Sequence, residues 1–367
     1  MKKITYSSAG DNYNTKDPIK KLAQKSALAT AQNLQTHGYK EMSGSRGESA
    51  YVFSNGKNLY ASVIEGLGTK NLIADEVRNL TGKTYYDAIA HDTIATIIND
   101  LVSVGARPLV VHAYWAIGSN IWLENEQRMK DLITGFKKAC DISMASWGGG
   151  ETPTLKGIIN KKTIVLGGSA FGIIGDPKNY LNEQRLEDGD RIILVKSNGL
   201  NTNGASLVRA IAKKLPKGYA QNLVDGKMFG EETLRQSNIY ARLIKDLLEN
   251  DVDIHYISHI TGHGLRKIMR AKASFTYFLE KIATPSELFQ FIQKKSGLSD
   301  YEMYSTFNMG QDYALFVNPR DTEKILGIIK KNKFQGFDAG FIQKGERKVV
   351  IQPLNILYEG NTLDLRT

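Results

Sequence analysis

What most constrains this chain is an arrangement used in both halves: a short apolar run of strand character empties into a glycine-bearing loop, and a helical stretch follows. A chain built this way must bury one face of each helix against a sheet, which is the layered architecture of an α+β or α/β protein. In the first half the strands are expected at Ala50 to Phe53, Leu59 to Ile64, Leu109 to Trp115 and Thr163 to Ile174. The helices are expected at Pro18 to His37, Tyr85 to Val104 and Glu124 to Cys140, where apolar residues recur at three and four, as in Ile94, Ile97, Ile98 and Leu101. In the second half helices are expected at Gly204 to Lys214, Thr233 to Asn250 and Gly264 to Ala271, and strands near His255 to Ile257, Tyr313 to Val317 and Lys348 to Ile351. The turn signal Gly175-Asp176-Pro177 divides the chain into domains 1–176 and 177–367.

Composition removes several classes. At 367 residues with 41% hydrophobic and 23% charged residues, the chain can build two real cores. No apolar run approaches the ~20 residues of a membrane helix, and the basic start has no apolar stretch behind it, so a cytoplasmic protein without a secretory signal is expected. The single Cys140 excludes an internal disulfide and a cysteine-built metal site. The net charge of +10 raises nucleic acid as a partner. The lysines are scattered in short pairs with no aromatic-interleaved stripe, so a solvated basic surface is the better reading and no nucleic-acid partner is expected.

Five stretches carry residues suited to chemistry. Glu65-Gly66-Leu67-Gly68-Thr69-Lys70 follows an apolar run, and its glycines, hydroxyl and ammonium suit either a phosphate loop or an ordinary strand-to-helix turn. Asp92, Asn99 and Asp100 lie on an otherwise apolar helix; Asp92 and Asn99 share a face about 10 Å apart, too far to chelate one ion side by side. They could meet separate parts of a magnesium-loaded triphosphate, or be no more than helix capping plus a surface carboxylate. Gly148-Gly149-Gly150-Glu151-Thr152 reads as a glycine-rich loop, either structural or in contact with a ligand. Asn201 to Gly204 and His259 to Gly264 each precede a helical stretch and could offer amide N–H groups to an anion. No zinc-protease motif, nucleophile elbow, Walker loop or dinucleotide fingerprint is complete.

Singly these stretches are weak, but their order resembles the aminoimidazole ribonucleotide synthetase family, the phosphoribosylformylglycinamidine cyclo-ligases. The matching stretches are Tyr6 to Gly10, EGLGTK (65–70), DTIATIINDLVSVGARPL (92–109), GGET (149–152), GLNTNGASLVR (199–209), SNIY (237–240), HITGHGL (259–265) and MYSTFNMG (303–310). The resemblance implies an N-terminal α+β domain whose sheet pairs with a second subunit, a C-terminal α/β domain, and a homodimer. It implies ATP-dependent ring closure of formylglycinamidine ribonucleotide, with ATP and Mg²⁺ as cofactors and a small ribonucleotide as the partner molecule. Catalytic roles fall to Lys70, Asp92, Asn201 and His259, and metal binding to Glu65, Asp92 and Asp100. ATP binding falls to Glu65, Gly66, Gly68, Thr69, Lys70, Asn99, Asp100, Gly149, Gly150, Glu151 and Thr152, and substrate binding to Ser45, Arg46, Asn203, Gly204, Thr261 and Gly262. The chain departs from the family where Glu65 replaces aspartate, Asn201 replaces histidine and His263 interrupts three glycines; Gly44 to Ser49 replaces a glycine-rich loop, and Asn79 to Tyr85 looks inserted. The competing readings are a thiamine-monophosphate kinase-like phosphotransferase of the same superfamily and a nucleotide- or RNA-binding protein without turnover.

Overall fold

The computed structural model describes residues 3–5, 10 and 13–366, so most of the Tyr6 to Gly10 stretch lies outside the described residues. The first half runs α1 (Tyr13–Leu28), α2 (Gln32–Gln35), β1 (Lys40–Glu41), β2 (Tyr51–Ser54), β3 (Leu59–Gly66), α3 (Lys70–Thr81), α4 (Tyr86–Val102), β4 (Arg107–Ile117), α5 (Glu126–Ser143), β5 (Ser146–Glu151) and β6 (Ile164–Ile174). Its sheet has the order β1-β2-β3-β6-β4-β5, antiparallel except for the β4/β5 pair. Alternation along the strands sends Leu59, Ala61, Leu166 and Ala170 inward onto α4, whose Ile94, Ile97, Ile98 and Leu101 are fully enclosed. The other face keeps Ile64 79% exposed and Val165 47%, and stacks Tyr60 on Phe171 at 5.6 Å between ring centroids.

The second half runs β7 (Arg191–Lys196), α6 (Ala205–Ala212), α7 (Phe229–Thr233), α8 (Ala241–Glu249), β8 (Ile254–His259), β9 (Phe275–Leu279), α9 (Glu287–Ser296), α10 (Asp300–Tyr304), β10 (Gln311–Val317), α11 (Thr322–Lys331), β11 (Gly336–Lys344), β12 (Lys348–Ile351) and β13 (Ile356–Glu359). Its sheet has the order β13-β12-β9-β11-β7-β10-β8, in which β12/β9 is the parallel pair. β10 is buried along its whole length, as befits a strand covered on both faces. Among the described residues no helix is long and apolar enough to cross a membrane.

Three expectations differ from the structure. The glycine-rich stretch 148–150 is part of edge strand β5, not a loop: a Cβ on Gly150 would lie 2.2 Å from the Ala113 carbonyl, so the close approach that glycine permits is to β4. The helix expected from Thr233 begins only at Ala241, because residues 235–240 give their main-chain groups to the first half. Gly264–Met269 is a 3₁₀ turn entered through two left-handed residues, His263 (φ 71°) and Gly264 (φ 54°). The Asn79 to Tyr85 stretch is the end of α3, its left-handed Gly82 cap (φ 78°) and the link to α4.

Candidate active site between the two halves

α4 is a largely buried helix, and four of its polar residues, His91, Asp92, Asn99 and Asp100, are used against the second half. The Lys70 ammonium forms a fully enclosed ion pair with Asp92 and donates to the Arg235 carbonyl at 3.1 Å. The other Asp92 oxygen accepts the Ser237 N–H at 2.7 Å. Asn99 accepts the Tyr240 N–H at 2.9 Å and donates to the Asn238 carbonyl at 2.9 Å. Asp100 pairs with His259 Nδ1, at the end of β8, at 2.7 Å. Thr69 meets Ser206 of α6 at 3.2 Å. A buried polar group is costly without partners, so these contacts fix how the halves dock.

Below that clamp lies a cavity of about 280 Å³. Glu65 and Asp100 line it from the first half; Thr261, Gly262, His263, Lys267 and Arg270 line it from the second. It adjoins an open hollow of about 580 Å³ along the outer face of the first sheet, and the two share Glu48, Ser49 and Glu65. Burial pushes Asp100 up, but the His259 hydrogen bond and the charges of His259, Lys267 and Arg270 outweigh it and hold it below the usual carboxylate range. Burial, then the charge of Asp100, push Glu65 up to about 7. Burial, then the charge of Arg270, pull Lys267 down to about 7, and burial takes His263 down to about 4.

The structure gathers some expected site residues and disperses others. Glu65, Asp100, Thr261 and Gly262 meet in the cavity, and His259 holds Asp100. Lys70 and Asp92 are enclosed and spent on each other, so Asp92 is not placed to share a cation with Glu65 and Asp100. Gly149, Gly150, Glu151 and Thr152 lie at the sheet's edge, separated from β3 by β6 and β4. Ser45 is buried and donates to the Val52 carbonyl at 3.1 Å, while Arg46 pairs with Glu41 rather than lining the cavity. Asn201, left-handed at φ 59°, donates to Asp312 at 2.7 Å; Gly204 immediately precedes α6, and Asn203 donates to Thr202 at 3.4 Å.

Four charged residues that line the cavity were not among the site residues expected from the sequence: Lys20, Glu48, Lys267 and Arg270. Arg270 binds the Glu48 carboxylate at 3.2 Å, the Gly47 carbonyl at 2.8 Å and Ser49 at 3.0 Å, and Arg366 closes on Glu48 and Glu183. The available signal was the pair Lys267 and Arg270, spaced by three just after a glycine turn.

A ligand cavity built jointly by two α+β domains, with carboxylates on one side and basic groups on the other, defines a class of two-domain enzymes that bind between their domains. The match to known proteins is more particular. Residues 47–174 match the family model "AIR synthase related protein, N-terminal domain", and residues 187–352 the corresponding C-terminal domain. The chain belongs to the AIR synthase related family. It is 31% identical over 334 residues to a phosphoribosylformylglycinamidine cyclo-ligase of Methanobrevibacter smithii, covering 89% of this chain and 91% of the relative. A Clostridium perfringens protein of the same name is 30% identical over 355 residues, covering 95% of this chain and all of the relative. Among solved structures, the HypE–HypF complex (TM-score 0.60, 15% identity, 86% of this chain and 93% of that one) and AaThiL with AMPPCP and TMP (TM-score 0.58, 13% identity, 86% and 91%) share the fold.

Proposed function

We propose that this protein is an ATP-dependent cyclo-ligase that closes formylglycinamidine ribonucleotide to aminoimidazole ribonucleotide, releasing ADP and phosphate. Similarity to proteins of that name over nearly the whole chain supports it, and one structural observation carries it: Glu65 and Asp100 face Lys267 and Arg270 across a cavity that opens into a long hollow. A hard oxygen-ligand pair fits magnesium, which when bound neutralises triphosphate charge; Glu65 and Asp100 would hold it. We read the catalytic unit as domains 1–176 and 177–367.

The substrate's formamide oxygen is a poor leaving group until it takes the γ-phosphoryl group of ATP. The substrate's own amidine nitrogen then attacks the activated carbon, phosphate departs with the oxygen, and the nitrogen loses a proton. Because ring closure is intramolecular, the protein's task is to position and to neutralise charge, not to supply a nucleophile. Asp100 is held in its charged form and oriented by His259. The Thr261 to His263 turn closes the cavity from the second domain. The 235–240 segment, strapped to Lys70, Asp92 and Asn99, keeps the two walls in register.

A homodimer is part of the proposal. Ile64, Val165, Tyr60, Phe171, Leu109 and Tyr114 leave an apolar face on the outside of the first sheet, and a second copy would cover it and the adjoining hollow. The test is ADP release that requires both formylglycinamidine ribonucleotide and magnesium. Release with thiamine monophosphate instead would establish the kinase alternative; no release, with salt-dependent RNA binding, would establish the binding alternative.

A further inference from the structure

Lys267 is 8% exposed, yet among the described residues its ammonium has neither a hydrogen-bond acceptor nor a carboxylate within 4.0 Å. The other ionic groups of the cavity are provided for. Arg270 and Arg366 serve Glu48, His259 serves Asp100, His263 lies against Asp17 at 3.1 Å, and Lys20 is largely solvated beside Asp17. Among the described residues Glu65 accepts only the Gly66 N–H, at 3.4 Å. Lys267 and Glu65 therefore line one cavity with no ion pair between them among the described residues.

The backbone holds them apart. The Lys267 carbonyl accepts from Ser258 at 2.6 Å and from the Arg270 N–H at 3.0 Å, which pins the turn, while Glu65 sits in β3 paired to Gly168 of β6. A desolvated cation with no partner is a standing cost to the fold, and an incoming anion removes it. The lysine side of the cavity suits an oxyanion, and Glu65 and Asp100 on the other side would hold a cation.

We propose that Lys267 is a binding residue for a phosphate oxyanion, taken in beside the Glu65/Asp100 cation position. Nothing in the family resemblance assigned it a role. The inference deepens the function proposed above, since that reaction offers two such oxyanions, the γ-phosphate of ATP and the ribonucleotide's own phosphate. A point-charge ammonium on a flexible stem suits either.

The experiment compares wild type with Lys267→Met and Lys267→Arg. Calorimetric titration with inorganic phosphate in metal-free buffer should show binding in wild type, retained in Lys267→Arg and weakened by roughly 100-fold in Lys267→Met, as loss of a buried charge contact commonly gives. Without ligand, Lys267→Met should melt at or above the wild-type Tm, because it removes an unpartnered buried charge. Steady-state kinetics identify the source: a rise confined to the KM for ATP, or a fall in kcat, assigns the γ-phosphate, and a rise confined to the KM for the ribonucleotide assigns its phosphate. Unchanged phosphate binding in Lys267→Met, or a Tm below wild type, would overturn the assignment. If the wild-type protein releases no ADP with the ribonucleotide, the functional reading fails while the phosphate titration still decides this one.

Discussion

Replacing Lys70 by Met tests the clamp between the halves most directly. Both Lys70 and Asp92 side chains are fully enclosed, so methionine keeps the packing and deletes only the charge and its donors. Asp92 would be left as a buried carboxylate with a single donor, the Ser237 N–H at 2.7 Å, and the Arg235 carbonyl would lose its 3.1 Å partner. Breaking one side of such a pair costs about 3–5 kcal/mol, a factor of roughly 10² to 10⁴ in the folding equilibrium. Removing both charges in Lys70→Met/Asp92→Leu should recover most of that loss, leaving about 1–3 kcal/mol for the unpaired Ser237 N–H and Arg235 carbonyl. Urea titration followed by tryptophan fluorescence reads this out well, since Trp115, Trp122 and Trp147 all belong to the first half. Turnover should fall by roughly 10²-fold or more in Lys70→Met and should not return in the double variant, because stability is repaired but the register of the 235–240 segment is not. A Lys70→Met protein within about 1 kcal/mol of wild type, or a double variant as unstable as the two single losses summed, would refute the argument.

Other perturbations have equally definite expectations. Gly264→Ala forces a side chain onto φ 54° and sets its Cβ 2.2 Å from the Tyr304 carbonyl, so a loss of about 2–5 kcal/mol is expected by urea titration. His255 is held above its ordinary pKa: burial alone would lower it, but Asp190 at 2.8 Å and Asp253 at 3.4 Å prevail. Its contribution to stability is therefore complete below about pH 6.5 and is lost as pH rises through the raised value; His255→Gln should flatten that part of the Tm profile. Ile64→Glu places a charge on the exposed apolar sheet face, and sedimentation should show dissociation of the proposed homodimer while the fold, read by circular dichroism, is unchanged.

Much of the fold was legible because burial writes a period into the sequence. Ile94, Ile97, Ile98 and Leu101 announce α4, and the structure encloses all four. The glycines at 148–150 announced a close backbone approach, and at Gly150 the approaching group is the main chain of β4. Lys267 was hidden among many other lysines and arginines, since its distinction is burial without a partner, which no local pattern encodes.

The polar residues of α4 show why spacing predicts geometry better than role. Asp92 and Asn99, seven residues apart, differ by only about 20° around the helix axis and by about 10 Å along it. A non-helical chain stretched at about 3.3 Å per residue covers the same distance in three residues. That is the interval from Ser237 to Tyr240, whose N–H groups are taken by Asp92 and Asn99 respectively. The shared face is therefore a ruler matched to a segment of the protein itself. Asp100, eight residues beyond Asp92, is turned by about 80° and escapes the strap, which is why it, with Glu65, remains to face the cavity.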